Sequence, residues 1–143
     1  MIHLTQPDNF QKKFEVASCF LEHNQDVLFI LRQDKKPYAN HWGVPAGKLD
    51  NGESPLIAMI RETHEETGIR VKISMARYFG KVFVSYPECD FIYHMFQTTL
   101  DKKEEVTLNP TEHKDSLWLP PRDALTLPLI PDEDACIKLV YGI

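Results

Sequence analysis

Between Ser54 and Gly68 the chain carries one helix with both ends written into it, and the rest of the fold has to be arranged around that helix. Ser54 can cap the N-terminus, Pro55 stands where a missing N–H costs least, and Gly68 can take the left-handed stop position. The pattern predicts a helix over Pro55–Thr67. At roughly 100° per residue, Leu56, Met59, Ile60, Thr63 and Thr67 fall on one stripe that faces a core. Thr63 is a polar member of that stripe, so its hydroxyl needs an internal partner, for which the carbonyl one turn back is expected. Glu62, Glu65 and Glu66 fall on a separate arc, at spacings of three and four residues that gather three carboxylates within about one turn.

Such a patch repels itself, and it lies in the last turns of the helix, where the helix dipole favours positive charge. A bound cation resolves both problems. Carboxylate oxygens are hard ligands suited to Mg²⁺, which keeps several waters and completes its octahedron with substrate phosphate oxygens. Arg61 neighbours Glu65 around the helix and can reach Glu53 in the preceding loop, so a Glu53–Arg61 pair would pin loop to helix. That loop carries Gly43, Gly47 and Gly52, which let the main chain approach a ligand closely.

The segment Gly47 to Ile69, GKLDNGESPLIAMIRETHEETGI, resembles the Nudix box of MutT-like hydrolases. Gly47, Glu53, Arg61, Glu62, Glu65, Glu66, Gly68 and Ile69 stand at the box positions in register, and only Thr63 departs, at a place where an aliphatic residue is usual. The box spans 23 of 143 residues, and the flanks, Trp42-Gly43-Val44-Pro45-Ala46 and Trp118, also resemble the family. The resemblance implies an α/β/α sandwich with a mixed sheet between helices, with Glu62, Glu65 and Glu66 ligating Mg²⁺ (Mn²⁺ as a substitute). It further implies that Glu53 and Arg61 order the site and that water attacks a phosphorus within a diphosphate bridge. In this family the base that activates the water comes either from the box or from a later loop. Glu112, in Thr111-Glu112-His113-Lys114-Asp115, is the candidate from outside the box, against the reading of Glu112 and Asp115 as solvated charges and of His113 as a surface residue. Glu88, Glu104 and Glu105 are further candidates.

Around the helix, Phe14 to Leu21 and Val27 to Leu31 read as a hairpin turned at Glu22 to Asp26, followed by a polar loop over Gln33 to Asn40. Val71 to Ser74, Tyr78 to Ser85 and Phe91 to Leu100 read as strands, Trp118-Leu119 as a short last strand, Pro121 to Leu125 as a short helix and Asp132 to Tyr141 as a closing helix. On that last helix Ala135, Leu139 and Ile143 share a face, with Cys136 and Val140 beside it. Strands in hairpins interleaved with helices suggest a mixed sheet covered by helices. No repeat, linker or composition shift divides the chain, so one domain over residues 1 to 143 is expected.

A net charge of −5 argues against a broad grip on duplex nucleic acid, which depends on clustered Lys and Arg. The three widely spaced cysteines suggest neither a disulfide framework nor a zinc site. With no signal-like start and no apolar run of membrane length, a cytoplasmic protein without a membrane partner is expected, as monomer or homodimer. For the substrate's phosphates, Arg32 at a strand end and Lys48 inside the box are the candidate contacts, against their reading as solubilising charges. Tyr38, Trp42, Phe83, Tyr86 and Trp118 offer rings for a base, although aromatic residues in such runs more often belong to the core. The leading expectation is hydrolysis of a nucleoside diphosphate linked to another moiety, of nucleotide-sugar or ADP-ribose type. Nucleoside triphosphate pyrophosphohydrolysis, dinucleoside polyphosphate hydrolysis and a non-catalytic nucleotide-sensing role are the alternatives.

Overall fold

The computed structural model describes all 143 residues. Its strands are β1 (Ile2–His3), β2 (Lys12–His23), β3 (Asp26–Arg32), β4 (Trp42–Gly43), β5 (Ala46–Lys48), β6 (Ala76–Ser85), β7 (Asp90–Thr99) and β8 (His113–Leu119). Three α-helices accompany them: α1 (Pro55–Thr67), α2 (Pro121–Ala124) and α3 (Glu133–Tyr141). They form one mixed sheet in the order β1-β6-β7-β2-β3-β4, with β5 paired to β2 and β8 to β3. The β2–β7 pairing is parallel and the other pairings are antiparallel.

Strand alternation divides the core in two. Ala17, Cys19 and Leu21 of β2 and Leu28 and Ile30 of β3 pack with Ala58 and Met59 beneath α1. Phe20 of β2 and Val27 and Phe29 of β3 pack on the other face with Cys136 and Ile137 of α3. The α/β/α sandwich expected from the box is the fold observed.

The turn between β2 and β3 is tighter than its composition suggests. Only Asn24 and Gln25 lie between the strands, both with positive φ (47° and 70°), as a two-residue hairpin turn requires. Beyond this turn the strands part, since β2 pairs with β3 only at Glu22↔Val27 and His23↔Asp26. The gap is filled by β4 on β3 and β5 on β2, with the Cys19 N–H donating to the Pro45 carbonyl at 2.9 Å. This wedge carries Ala46 and Gly47 under α1.

Three other expectations are corrected. Val71 to Ser74 forms no strand, because the chain must reverse out of α1. Its backbone turns through a short 3₁₀ segment, Ile73–Met75, with the Met75 N–H on the Lys72 carbonyl at 2.9 Å. The last strand covers His113–Leu119 and not just Trp118-Leu119, its first half being a polar edge strand whose Lys114 and Asp115 face solvent. On α3 the buried residues are Glu133, Cys136 and Ile137, so that helix is rotated from the face led by Ala135 and Leu139.

Candidate active site

The helix over the wedge has the ends its sequence predicts. The Ser54 hydroxyl accepts the Ile57 N–H at 3.3 Å, and Gly68 closes the helix with φ 76°. Arg61 is the hub beneath the first turns. Its Nε and Nη2 each donate to a Glu53 oxygen at 2.8 Å, Nη1 donates to Glu62 at 2.6 Å and Glu65 at 3.3 Å, and Nη2 also reaches the Lys48 carbonyl at 3.1 Å. Glu53 also accepts the Asp50 N–H at 2.9 Å. The two Arg61 bonds and this N–H hold the Glu53 carboxyl at about 2, far below the usual range. Loop and helix are thereby locked together, as the expected Glu53–Arg61 pair requires.

Gly47 stands opposite Ala17 on the helix side of the sheet, and the Glu62 carboxyl rests on it. A Cβ at Gly47 would coincide with that carboxyl. Glu66 reaches further in and accepts the Ala46 N–H at 3.0 Å on Oε1. Burial, opposed by this bond and reinforced by Glu62, lifts the Glu66 carboxyl to about 8. Glu62 is also raised, first by burial, while Arg61 pulls it the other way. Glu65 is the outer member, its side chain 53% exposed.

These carboxylates suit a hard divalent cation. Two are charged only against burial and mutual repulsion, and the glycine cradle keeps their oxygens close to the main chain. No three acidic, histidine or cysteine side chains are clustered as ready metal ligands, since Arg61 engages both Glu62 and Glu65.

Arg32 and Glu112 belong to the same end of the sheet, for both their charges act on Glu66. The Arg32 Nε donates to the Pro37 carbonyl at 2.6 Å, which folds the 33–40 loop back over the strand end. Glu112 ties that loop to β8, accepting Lys36 Nζ at 2.9 Å on its side chain and the Gln33 N–H at 3.0 Å on its carbonyl. His113 is buried, contrary to its reading as a surface residue. Burial, followed by Arg32, lowers its imidazole to about 4, and its Nδ1 has no hydrogen-bond partner.

Lys48 is not drawn into this group. It pairs with Val16, so its side chain leaves on the sheet face away from α1, and its amine sits 4.3 Å from the centre of the Phe14 ring. Glu88 lies in the β6–β7 turn, and Glu104 and Glu105 form no ion pair. Trp42 and Phe83 are core, and Trp118 packs against the α1 cluster.

A cleft of about 510 Å³ around Glu22, Arg122 and Tyr141 lies at the hairpin end of β3, away from Arg32 and the box acids. A smaller cavity of about 120 Å³ opens under α3, lined by Tyr38, Tyr86, Phe91, Tyr93, Glu133 and Cys136 among others. Glu133 is only 3% exposed, and burial raises its carboxyl to about 8. Little in the sequence marks this residue, because an acid in the first turn of a helix reads as a solvated complement to the dipole. Its spacing of three and four from Cys136 and Ile137 is the available signal.

A model of the NUDIX domain matches residues 12–140. The chain is 28% identical to a CTP pyrophosphohydrolase of Escherichia coli over 122 residues, 84% of this chain and 85% of the relative. It is 32% identical over 104 residues to an 8-oxo-(d)GTP phosphatase of Mycolicibacterium smegmatis, 72% of this chain but 31% of that longer protein. The crystal structure of a MutT NUDIX hydrolase from Burkholderia pseudomallei superposes with a TM-score of 0.77 at 23% identity, covering 89% of this chain and 97% of the other. No helix is long and apolar enough to cross a membrane. With the box in register, the arginine hub and the glycine cradle in place, and the family model spanning nearly the whole chain, this protein belongs to the NUDIX family and is a hydrolase of the pyrophosphohydrolase type.

Proposed function

We propose that the chain is a Mg²⁺-dependent pyrophosphohydrolase of nucleoside triphosphates, converting a triphosphate and water into a nucleoside monophosphate and diphosphate. The observation that carries this reading is the pair of inward carboxyls, Glu62 on Gly47 and Glu66 on the Ala46 N–H, facing the end of the sheet where Arg32 stands. Glu62, Glu65 and Glu66 would hold the ion, with Mn²⁺ as a substitute, Glu65 being the exposed member with a long 3.3 Å contact to Arg61. When bound, the ion activates water and neutralises charge on the phosphoryl oxygens.

The remaining work falls to the chain itself. Glu53 and Arg61 keep the wedge and helix in fixed relation, so that Glu62 and Glu66 keep their spacing. Arg32 offers a planar fork to phosphate oxygens. Lys48 is left out of the contact set because its amine rests on Phe14. Glu112, whose charge reaches Glu66, is the carboxylate outside the box best placed to take a proton from water.

Sugar-linked diphosphates lead on sequence grounds, but the balance moves to triphosphates because a relative aligned along 85% of its length is a CTP pyrophosphohydrolase. Incubation of the pure protein with Mg²⁺ and a panel of nucleoside triphosphates, ADP-ribose, nucleotide sugars and dinucleoside polyphosphates, with products resolved by chromatography, tests this reading. Monophosphate plus diphosphate is expected. Two monophosphate-type products from a sugar-linked substrate alone would restore the sugar-linked reading, and nucleotide binding without turnover would favour a sensing role.

A further inference from the structure

We propose that Lys36 sets the preference for a chain of phosphates: it leaves Glu112 to bind the phosphates beyond the first, and the same movement uncovers Glu112. The inference rests on the reading of the substrate as a nucleoside triphosphate and names the residue that recognises its outer phosphates.

A phosphate chain reaching the box acids approaches a protein of net charge −5, and local cations are what make that approach favourable. At this end of the sheet the structure gathers two. The charges of Arg32 and Lys36 both act on the buried His113, which stands beside Arg32 in the β3–β8 ladder, and Glu112 acts on it as well. Arg32 and Glu112 also act on Glu66, so this corner and the box acids belong to one electrostatic neighbourhood. His113 is uncharged at neutrality, its imidazole being lowered to about 4. Positive charge here therefore comes from Arg32 and Lys36, and Glu112 offsets part of it.

Lys36 is the member free to change partner. Its 2.9 Å pair with Glu112 joins two side chains that are 34% and 38% exposed, and exposed pairs of this kind contribute little to stability. The loop does not depend on that pair. The Gln33 N–H donates to the Glu112 carbonyl at 3.0 Å, Gln33 Nε2 to the Pro110 carbonyl at 2.9 Å, and the Asn40 N–H to the Arg32 carbonyl at 3.1 Å. The Lys36 N–H is itself held by the Gln33 carbonyl at 3.2 Å. The ammonium thus sits at the end of a flexible stem rooted in a fixed turn, and it can swing without the loop opening. Arg32 is the fixed cation by contrast. Its Nε is bound to the Pro37 carbonyl at 2.6 Å, which leaves both Nη nitrogens as an open fork.

A terminal phosphate carries up to about two negative charges, against one on Glu112. A triphosphate therefore draws Lys36 across, while a monophosphate, which has no group beyond the first, leaves the pair with Glu112 in place. The exchange opens Glu112 Oε1 to the proton of the attacking water, so recognition of the outer phosphates also frees the base.

Calorimetric titration in Mg²⁺ with inorganic diphosphate, an α,β-methylene nucleoside triphosphate and a nucleoside monophosphate tests this without any turnover. Lys36→Gln should weaken the first two by about tenfold or more and leave the monophosphate unchanged, and Lys36→Arg should restore most of the loss. Glu112→Gln should tighten diphosphate by roughly two- to fivefold, because Lys36 is released from its pair. In the double variant that gain should vanish. A gain that persists there would mean that Glu112 acts by simple repulsion, and the proposal would fall. It would fall equally if the parent binds no diphosphate, if Lys36→Gln binds it as the parent does, or if the monophosphate weakens to the same degree. A Lys36→Gln chain that melts earlier and is not rescued by Lys36→Arg would make the pair a fastening of the loop, which also overturns it. If the affinities behave as stated but no triphosphate is hydrolysed, the catalytic reading falls and this one stands.

Discussion

Glu66 and Glu133 lie on opposite faces of one sheet, and burial lifts both carboxyls to about 8, yet they are held in opposite ways. Glu66 has a main-chain N–H on one oxygen and the charges of Glu62, Arg32 and Glu112 around it. Glu133 has an unpartnered oxygen and aromatic walls. The same upward shift therefore does not make the same kind of site. One carboxyl sits among other carboxylates and cations and shares their charge balance, while the other, set against rings beneath α3, has no such neighbours to offset its charge. Substitutions confined to one side or the other put this contrast to the test.

The largest effect should come from the charged side. Glu66→Gln, and likewise Glu65→Gln, should lower Mg²⁺-dependent turnover by roughly three orders of magnitude. The Glu66→Gln chain should also unfold no more easily than the parent, because the substitution removes a charge that burial opposes. Near-normal turnover in both variants would exclude the metal-site reading. The next effect is steric. Gly47→Ala places a Cβ where the Glu62 carboxyl rests, and that carboxyl is the far end of a flexible side chain. Stability should fall by less than about 1 kcal/mol, while kcat falls by roughly ten- to a hundredfold as Glu62 is displaced. An equal loss of stability and activity would mean that Gly47 serves the fold and not the site.

How far each side is legible in the sequence follows the same division. Glu53, Arg61, Glu62, Glu65 and Glu66 lie within fourteen residues, the last four in a helix whose Ser54 and Gly68 caps are local and the first just before it, so their neighbourhood follows from spacing alone. The wedge that carries Gly47 beneath them is hidden, since strands of two and three residues are too short to show a period. The polar first half of β8 is hidden because its one buried residue, the polar His113, is followed by the exposed Lys114 and Asp115, which leaves no apolar alternation to read. Glu133 is hidden for a longer-range reason. Whether a first-turn acid points outward or under the helix depends on how α3 rotates on the sheet, and that is set by Cys136 and Ile137 meeting Phe20 and Phe29.

The two carboxyls can also be separated through pH. In the folded chain both keep protons up to about 8 that the unfolded chain releases near 4.5, so the folded state binds more protons across that window and stability falls as pH rises. His113 acts the other way, but only between about 4 and 6.5, where the unfolded imidazole binds a proton that the buried one refuses. From about pH 6.5 to 8 the slope should therefore reflect Glu66 and Glu133. Urea denaturation across this range should show the slope reduced by about one proton in Glu133→Met. Saturating Mg²⁺ should reduce it separately by displacing protons on the α1 side. If Mg²⁺ and Glu133→Met remove the same share, the two groups are coupled and the contrast between the faces is lost.

Thr63 gives the smallest and most local test, because it lies beneath the same helix without belonging to the charged face. Its place on the core stripe predicts a bond from its hydroxyl back to the carbonyl one turn earlier. That kind of bond is instead made by Thr67, whose Oγ1 donates to the Thr63 carbonyl at 2.6 Å. The Thr63 hydroxyl is left buried and unpartnered beside the Cys19 thiol, which itself donates to Thr98 Oγ1 at 3.6 Å. Thr63→Val keeps the shape and removes that hydroxyl, so it should stabilise the chain by about 1 kcal/mol, a rise of about 4 °C in melting temperature. Turnover should be unchanged, since the Thr63 side chain faces Cys19 in the core while Glu62 and Glu66 face the wedge. Lower turnover at undiminished stability would place Thr63 in the chemistry, and a lower melting temperature would mean that its hydroxyl has a partner in solution, such as a trapped water.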